Sequence, residues 1–129
     1  MALKESGEMY LETILILSKQ KDIVRSVDVA EYMNFSKPSV SRAVGILKSN
    51  GYVIMADNGN LSLTDKGLNV AEKIFARHRI ITALLTNLGV EESVAAADAC
   101  RMEHVVSDET FEALIRLNDK LELFQEKRH

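Results

Sequence analysis

One cysteine, one proline and no tryptophan stand among the 129 residues of this chain. A lone thiol forms no internal disulfide, so Cys100 is a small buried apolar group, a reactive group, a ligand or an intermolecular link. With Pro38 as the only proline and six glycines in all, no Pro/Gly-rich linker interrupts the chain. There is no internal repeat and no low-complexity segment. No apolar run approaches the ~20 residues that a membrane span needs, and no secretory leader precedes the first helix. Membranes are therefore not an expected partner, and the cytoplasm is the expected location. Acidic residues are also missing from one long stretch. Between Glu31 and Asp57 there is none, while Lys37, Arg42 and Lys48 lie there. The formal net charge is −3, so an acidic chain carries one local basic face, a layout that suits a DNA partner.

What is present reads as a mostly α, soluble fold, with 47% hydrophobic and 27% charged residues. Helical spacing over residues 5–20 places Tyr10, Leu11, Ile14, Leu15 and Leu17 on a core-facing stripe. Ser26 suits an N-cap for a short helix over roughly 27–33, with Val27, Val29, Ala30 and Met33 as its buried side. Ser36 then caps a third helix, with Pro38 in the first turn, where a missing N–H costs little. Val40, Val44 and Leu47 mark its inner face. Residues 52–55 and 61–63 read as two strands joined at Asp57-Asn58-Gly59-Asn60, a strong tight-turn signal. Thr64 caps a long fourth helix that ends at Gly89, a fifth spans about 92–106, and Ser107 caps a sixth. In the fifth, Val94, Ala99, Met102, Val105 and Val106 are expected to pack against the protein body or a partner subunit. Helix, helix, turn, helix and hairpin in that order form a winged helix-turn-helix. The expected division is a DNA-binding domain over 1–70 and an all-helical metal-binding and dimerisation domain over 71–129.

Two sets of residues carry the chemistry. On the third helix and its cap, Ser36, Lys37, Pro38, Ser39, Ser41, Arg42 and Lys48 form the candidate surface for DNA. Arg42 is the best candidate for a guanine edge, because its fork matches O6 and N7. On the fifth helix, Cys100, Glu103 and His104 stand at i, i+3 and i+4. They project a thiol, a carboxylate and an imidazole into a sector about 100° wide. Such a trio makes half of a transition-metal site. Met9 and Glu12, at i and i+3 on the first helix, form a second donor cluster. A metal held between the two clusters would make a metal-sensing repressor.

Several segments strengthen that reading: Gly7-Glu8-Met9-Tyr10-Leu11, Ser36-Lys37-Pro38-Ser39-Val40-Ser41, Leu63-Thr64-Asp65-Lys66-Gly67 and Arg77-His78-Arg79. The longest runs from Asp98 to Asp108, Asp98-Ala99-Cys100-Arg101-Met102-Glu103-His104-Val105-Val106-Ser107-Asp108. Through them the chain resembles the diphtheria toxin repressor and manganese transport regulator (DtxR/MntR) family over almost its whole length. The resemblance implies that the primary site of iron-type members falls on Met9, Cys100, Glu103 and His104. Manganese-type members place carboxylates where Met9 and Cys100 stand here, and use positions matching Glu12 and His78 as well. This chain thus keeps Glu12 and His78 alongside the softer pair. The ancillary site of iron-type members needs an acid at Thr82 and a histidine at Ala96, and both are absent. Larger members carry an added SH3-like domain, and this chain is expected to be a short form without one.

The resulting expectation is a homodimer, paired through its C-terminal helices, that binds double-stranded palindromic operator DNA when Fe²⁺ or Mn²⁺ is bound. Thiolate and thioether donors tilt the choice toward Fe²⁺, with Zn²⁺, Co²⁺ and Ni²⁺ expected to bind in vitro. The alternative is a winged-helix regulator controlled by a small organic ligand or by oxidation of Cys100. An enzyme using Cys100 and His104 is disfavoured, since no oxyanion-hole motif accompanies them and Glu103 sets a negative charge beside the thiol. His129 is expected to be uninvolved.

Overall fold

A computed structural model describes residues 5–127. His129 lies outside them. The order is α1 (Glu5–Gln20), α2 (Ser26–Met33), α3 (Lys37–Ser49), β1 (Val53–Met55), β2 (Leu61–Leu63), α4 (Asp65–Asn87), α5 (Glu92–Met102) and α6 (Asp108–Lys127). Two compact units divide the chain between Lys73 and Ile74, within α4.

The first unit is the winged helix-turn-helix. Tyr10, Leu11, Ile14, Leu15 and Leu17 of α1 are all buried, as the helical spacing requires. Val29 and Ala30 of α2 and Val40, Val44 and Leu47 of α3 join them in the core. The entry to α2 differs from expectation. Arg25, not Ser26, stands at the N-cap position, and Asp28 Oδ2 accepts the Arg25 N–H at 2.8 Å. The carboxylate three residues on replaces a capping hydroxyl, so the helix starts one residue early. Val27 is consequently turned outward. At α3 the expectation holds: Ser36 caps, its Oγ accepting the Ser39 N–H, and Pro38 sits in the first turn.

The hairpin pairs Val53 with Leu63, Ile54 with Ser62 and Met55 with Leu61, antiparallel. Gly59 supplies the positive φ that its turn needs. The segment before α2 anchors this wing. The Val24 carbonyl accepts the Leu61 N–H at 2.7 Å, and the Val24 N–H donates to Asn60 Oδ1 at 2.9 Å. At the far end of the hairpin, Gly67 in the first turn of α4 lies against the Tyr52 carbonyl. A Cβ there would stand 2.1 Å from that oxygen.

The second unit is all helical. Ile74, Ile81 and Leu84 of α4 and Ala95 and Ala99 of α5 are buried. Asn87 Nδ2 donates to Oδ1 of the buried Asn118 on α6 at 2.9 Å. Here α5 stops at Met102 and not at 106. Val94 and Val105, expected to pack against the protein body or a partner subunit, are 50% and 73% exposed in the single chain, so they do not pack against the body.

Candidate metal centre

The early end of α5 shapes the site. Glu103, the first residue past the helix, keeps helical dihedrals (φ −59, ψ −25), and its N–H still bonds the Ala99 carbonyl. Its side chain therefore continues the line set by Cys100 three residues before. Beyond it the chain turns, with the N–H groups of Val105 and Val106 both directed to the Met102 carbonyl. The Glu103 and Val106 carbonyls do not continue a helical ladder. Both accept from Nη1 of Arg77 on α4, at 3.1 and 2.5 Å. Ser107 Oγ then caps α6 by accepting the Thr110 N–H at 3.1 Å.

Within this unit His78, Cys100 and Glu103 come together, one ligand atom from each lying within 4.8 Å of the others. His78 Nδ1 is 2.9 Å from Glu103 Oε2, donating in the Nδ1–H tautomer. His104 Nε2 stands 3.2 Å from Glu103 Oε1. The Glu103 side chain is fully buried, and its Oε1 accepts no hydrogen bond among the described residues. A buried carboxylate oxygen without a donor is unfavourable. A divalent cation taken up by this oxygen and the adjacent imidazole removes that cost. Two donors each about 2.0–2.3 Å from one ion stand at most about 4.6 Å apart, and the three atoms already lie within 4.8 Å of one another. The donor set therefore fits a borderline transition metal, with imidazole, carboxylate and thiolate all available.

Cys100 is exposed, which removes the reading of a small buried apolar group. On α1, Glu12 is buried and Met9 is half-buried. Glu12 is therefore not the solvated surface carboxylate that its position on a helix first suggests. At the positions of the iron-type ancillary site, Thr82 is half-buried and Ala96 carries no donor.

Sequence reasoning passes over Arg77 except as part of a motif. A signal was present: Ile74, Arg77, Ile81 and Leu84 share the helical spacing of the core stripe, so the arginine occupies an inward position. Besides the two carbonyls, its Nη2 donates to Asp108 Oδ1 at 2.6 Å, and its guanidinium lies 5.2 Å from the Phe111 ring centroid.

The other candidate surface is the outer side of α3. Ser36, Lys37, Pro38, Ser39, Ser41, Arg42 and Lys48 are all exposed, while Val40, Val44 and Leu47 are buried. No acidic residue stands in the first turn of α3, so the positive end of its dipole faces outward uncompensated. Helix N-termini of this kind favour phosphate oxygens.

Comparison with known proteins places both halves. Residues 2–61 match the family described as iron dependent repressor, N-terminal DNA binding domain. Residues 64–125 match iron dependent repressor, metal binding and dimerisation domain. The diphtheria toxin repressor of Corynebacterium diphtheriae is 33% identical over 116 residues, 89% of this chain and 51% of that protein. The chain thus spans about half the length of that relative. An uncharacterized HTH-type transcriptional regulator of Methanocaldococcus jannaschii is 32% identical over 127 residues, covering 97% of this chain and 99% of the relative. Among solved structures, the manganese regulator SloR superposes with a TM-score of 0.78 at 30% identity, over 92% of this chain and 55% of that one. With these matches along its length, the chain belongs to the diphtheria toxin repressor and manganese transport regulator family of metal-dependent transcriptional regulators.

Proposed function

We propose that this chain is a metal-activated repressor that binds palindromic operator DNA as a homodimer. The observation that carries the proposal is the donor cluster around the buried Glu103 carboxylate, in the same chain as an exposed cationic recognition helix. His78, Cys100, Glu103 and His104 are the ligands drawn from α4, α5 and the turn. The family pattern adds Met9 and Glu12 of α1. The relatives bear on the ion in both directions, since one is a diphtheria toxin repressor within an iron dependent repressor family and another is a manganese regulator. The thiolate of Cys100 and the thioether of Met9 favour Fe²⁺ over Mn²⁺ here. The reader is α3, with Lys37 and Lys48 on phosphates and Arg42 at a base edge. The dimer forms through α5, α6 and the turn between them, which expose Val94, Leu117, Leu123 and Val105. Metal binds the DNA-competent arrangement better, and by linkage DNA tightens metal binding to the same degree.

An anaerobic Co²⁺ titration tests the metal site. A thiolate-to-metal charge-transfer band should saturate at a definite stoichiometry and vanish in Cys100→Ala. Selection from a random duplex pool, with Co²⁺ or with chelator, then tests the switch. Metal should tighten binding to the selected operator about 10- to 100-fold, and His104→Ala should remove that gain. Equal operator affinity with and without metal would sink the proposal.

A further inference from the structure

We propose that Arg77 is a positioning residue of the metal centre, fixing the turn that presents Glu103 and His104 and tying it to the start of α6. The inference rests on the metal-site reading above. Arg77 is itself buried, and both of its Nη groups are spent on one short stretch of chain, while its Nε has no partner among the described residues. Nη1 holds the carbonyls of Glu103 and Val106, and Nη2 holds the carboxylate of Asp108. Those three acceptors span the point where α5 gives way to α6. Locally the turn is held by the Val105 and Val106 N–H groups, which converge on one carbonyl, that of Met102. The guanidinium adds a tie to α4 that the local hydrogen bonds do not supply.

The adjacent residue of α4, His78, reaches the same Glu103 by its side chain. One helix thus holds Glu103 twice, by main chain through Arg77 and by carboxylate through His78. A planar fork with donors on several edges can hold three acceptors in fixed directions, which an ammonium cannot reproduce. Loss of Arg77 leaves the Glu103 and Val106 carbonyls without that donor and frees the turn to drift. The ligands would remain in the chain but stand in the wrong place.

The test compares wild type, Arg77→Met, Arg77→Lys and Asp108→Asn, each first checked metal-free by circular dichroism. Partners that orient ligands typically change metal affinity about 10- to 100-fold, and Arg77→Met should weaken Co²⁺ by that factor. Its visible d–d spectrum should change in intensity and position, since the coordination sphere itself is altered. Arg77→Lys should recover part of the affinity. The side chain of Asp108 is 69% exposed, so Asp108→Asn should fold normally and weaken Co²⁺ about two- to fivefold. Amide hydrogen exchange supplies a readout without metal: Val105 and Val106 should exchange faster in Arg77→Met, with α1–α3 unchanged. Wild-type Co²⁺ affinity and spectrum in Arg77→Met would overturn the proposal. Should that variant fail to fold, unchanged affinity in Asp108→Asn would overturn it instead. Absence of Co²⁺ binding in wild type would sink the metal reading first, and unchanged exchange at Val105 and Val106 would then sink this one too.

Discussion

Asp28 does two jobs at the entry to α2. It accepts the Arg25 N–H at 2.8 Å and the Lys21 ammonium at 2.7 Å. The Lys21 contact foremost, then the Arg25 N–H, holds its carboxyl below the ordinary aspartate value of 3.8. A group whose folded pKa is depressed adds stability above its unfolded pKa, and that stability is lost as pH falls through the folded value. Asp28→Asn should therefore cost about 0.5–1.5 kcal/mol at pH 7, with the difference from wild type fading below about pH 4. Urea unfolding over a pH series from 7 down to about 2 follows the difference from its full size into its loss. The same residue shows where sequence was legible and where it was not. Ser36, Thr64 and Ser107 were readable as helix starts, since each hydroxyl accepts an N–H three residues on. Ser26 has equal propensity but loses to Asp28, whose charge is anchored by Lys21 from outside the helix. No spacing rule reports that anchor. The Glu103 carboxylate was legible as a candidate ligand, yet its complete burial and its second oxygen without a donor needed the fold.

Two glycines inside helices respond in opposite ways to the same change. Gly45 lies mid-way along α3 with nothing within 4 Å of where a Cβ would be. There glycine only costs helix stability, so Gly45→Ala should raise the unfolding free energy by about 0.5–1 kcal/mol. Gly67 sits against the Tyr52 carbonyl, where a Cβ at 2.1 Å forces backbone apart. Gly67→Ala should lower it by about 1–3 kcal/mol. Paired urea titrations decide both, and two changes of the same sign would contradict this account. Element existence was readable because α1, α3 and the hairpin rest on local signals: apolar spacing, a serine cap and Asn58-Gly59. The end of α5 was not. Its apolar pattern runs on to Val106, but the carbonyls there are taken by Arg77, some 30 positions earlier in the chain. Termination by a distant side chain leaves no mark in the segment it terminates.

Across the whole molecule, charge is sorted by region. The acid-free stretch between Glu31 and Asp57 carries the exposed face of α3, although the chain as a whole is acidic. Exposed apolar side chains occur in both units, and α6 carries three of them, Leu117, Leu123 and Phe124, at 43%, 58% and 59% accessible. On the dimer proposal these are interface residues. Leu117→Glu should then raise the dimer dissociation constant about 100-fold or more, because apolar burial is lost and a carboxylate is left without a partner. Sedimentation velocity across a concentration series measures it, and an unchanged weight-average mass would place the interface elsewhere. The solitary sulfhydryl has a consequence of its own. Cys100 is the only thiol in 129 residues, and it is solvent-accessible beside His78 and Glu103. Any thiol-directed dye or alkylating agent is therefore monospecific on the native chain, with no background to subtract. A coordinated sulfur reacts slowly and an uncoordinated thiolate quickly, so the modification rate is a built-in gauge of how full the centre is. The chain comes with its own occupancy meter, legible on the purified protein and before any operator is known.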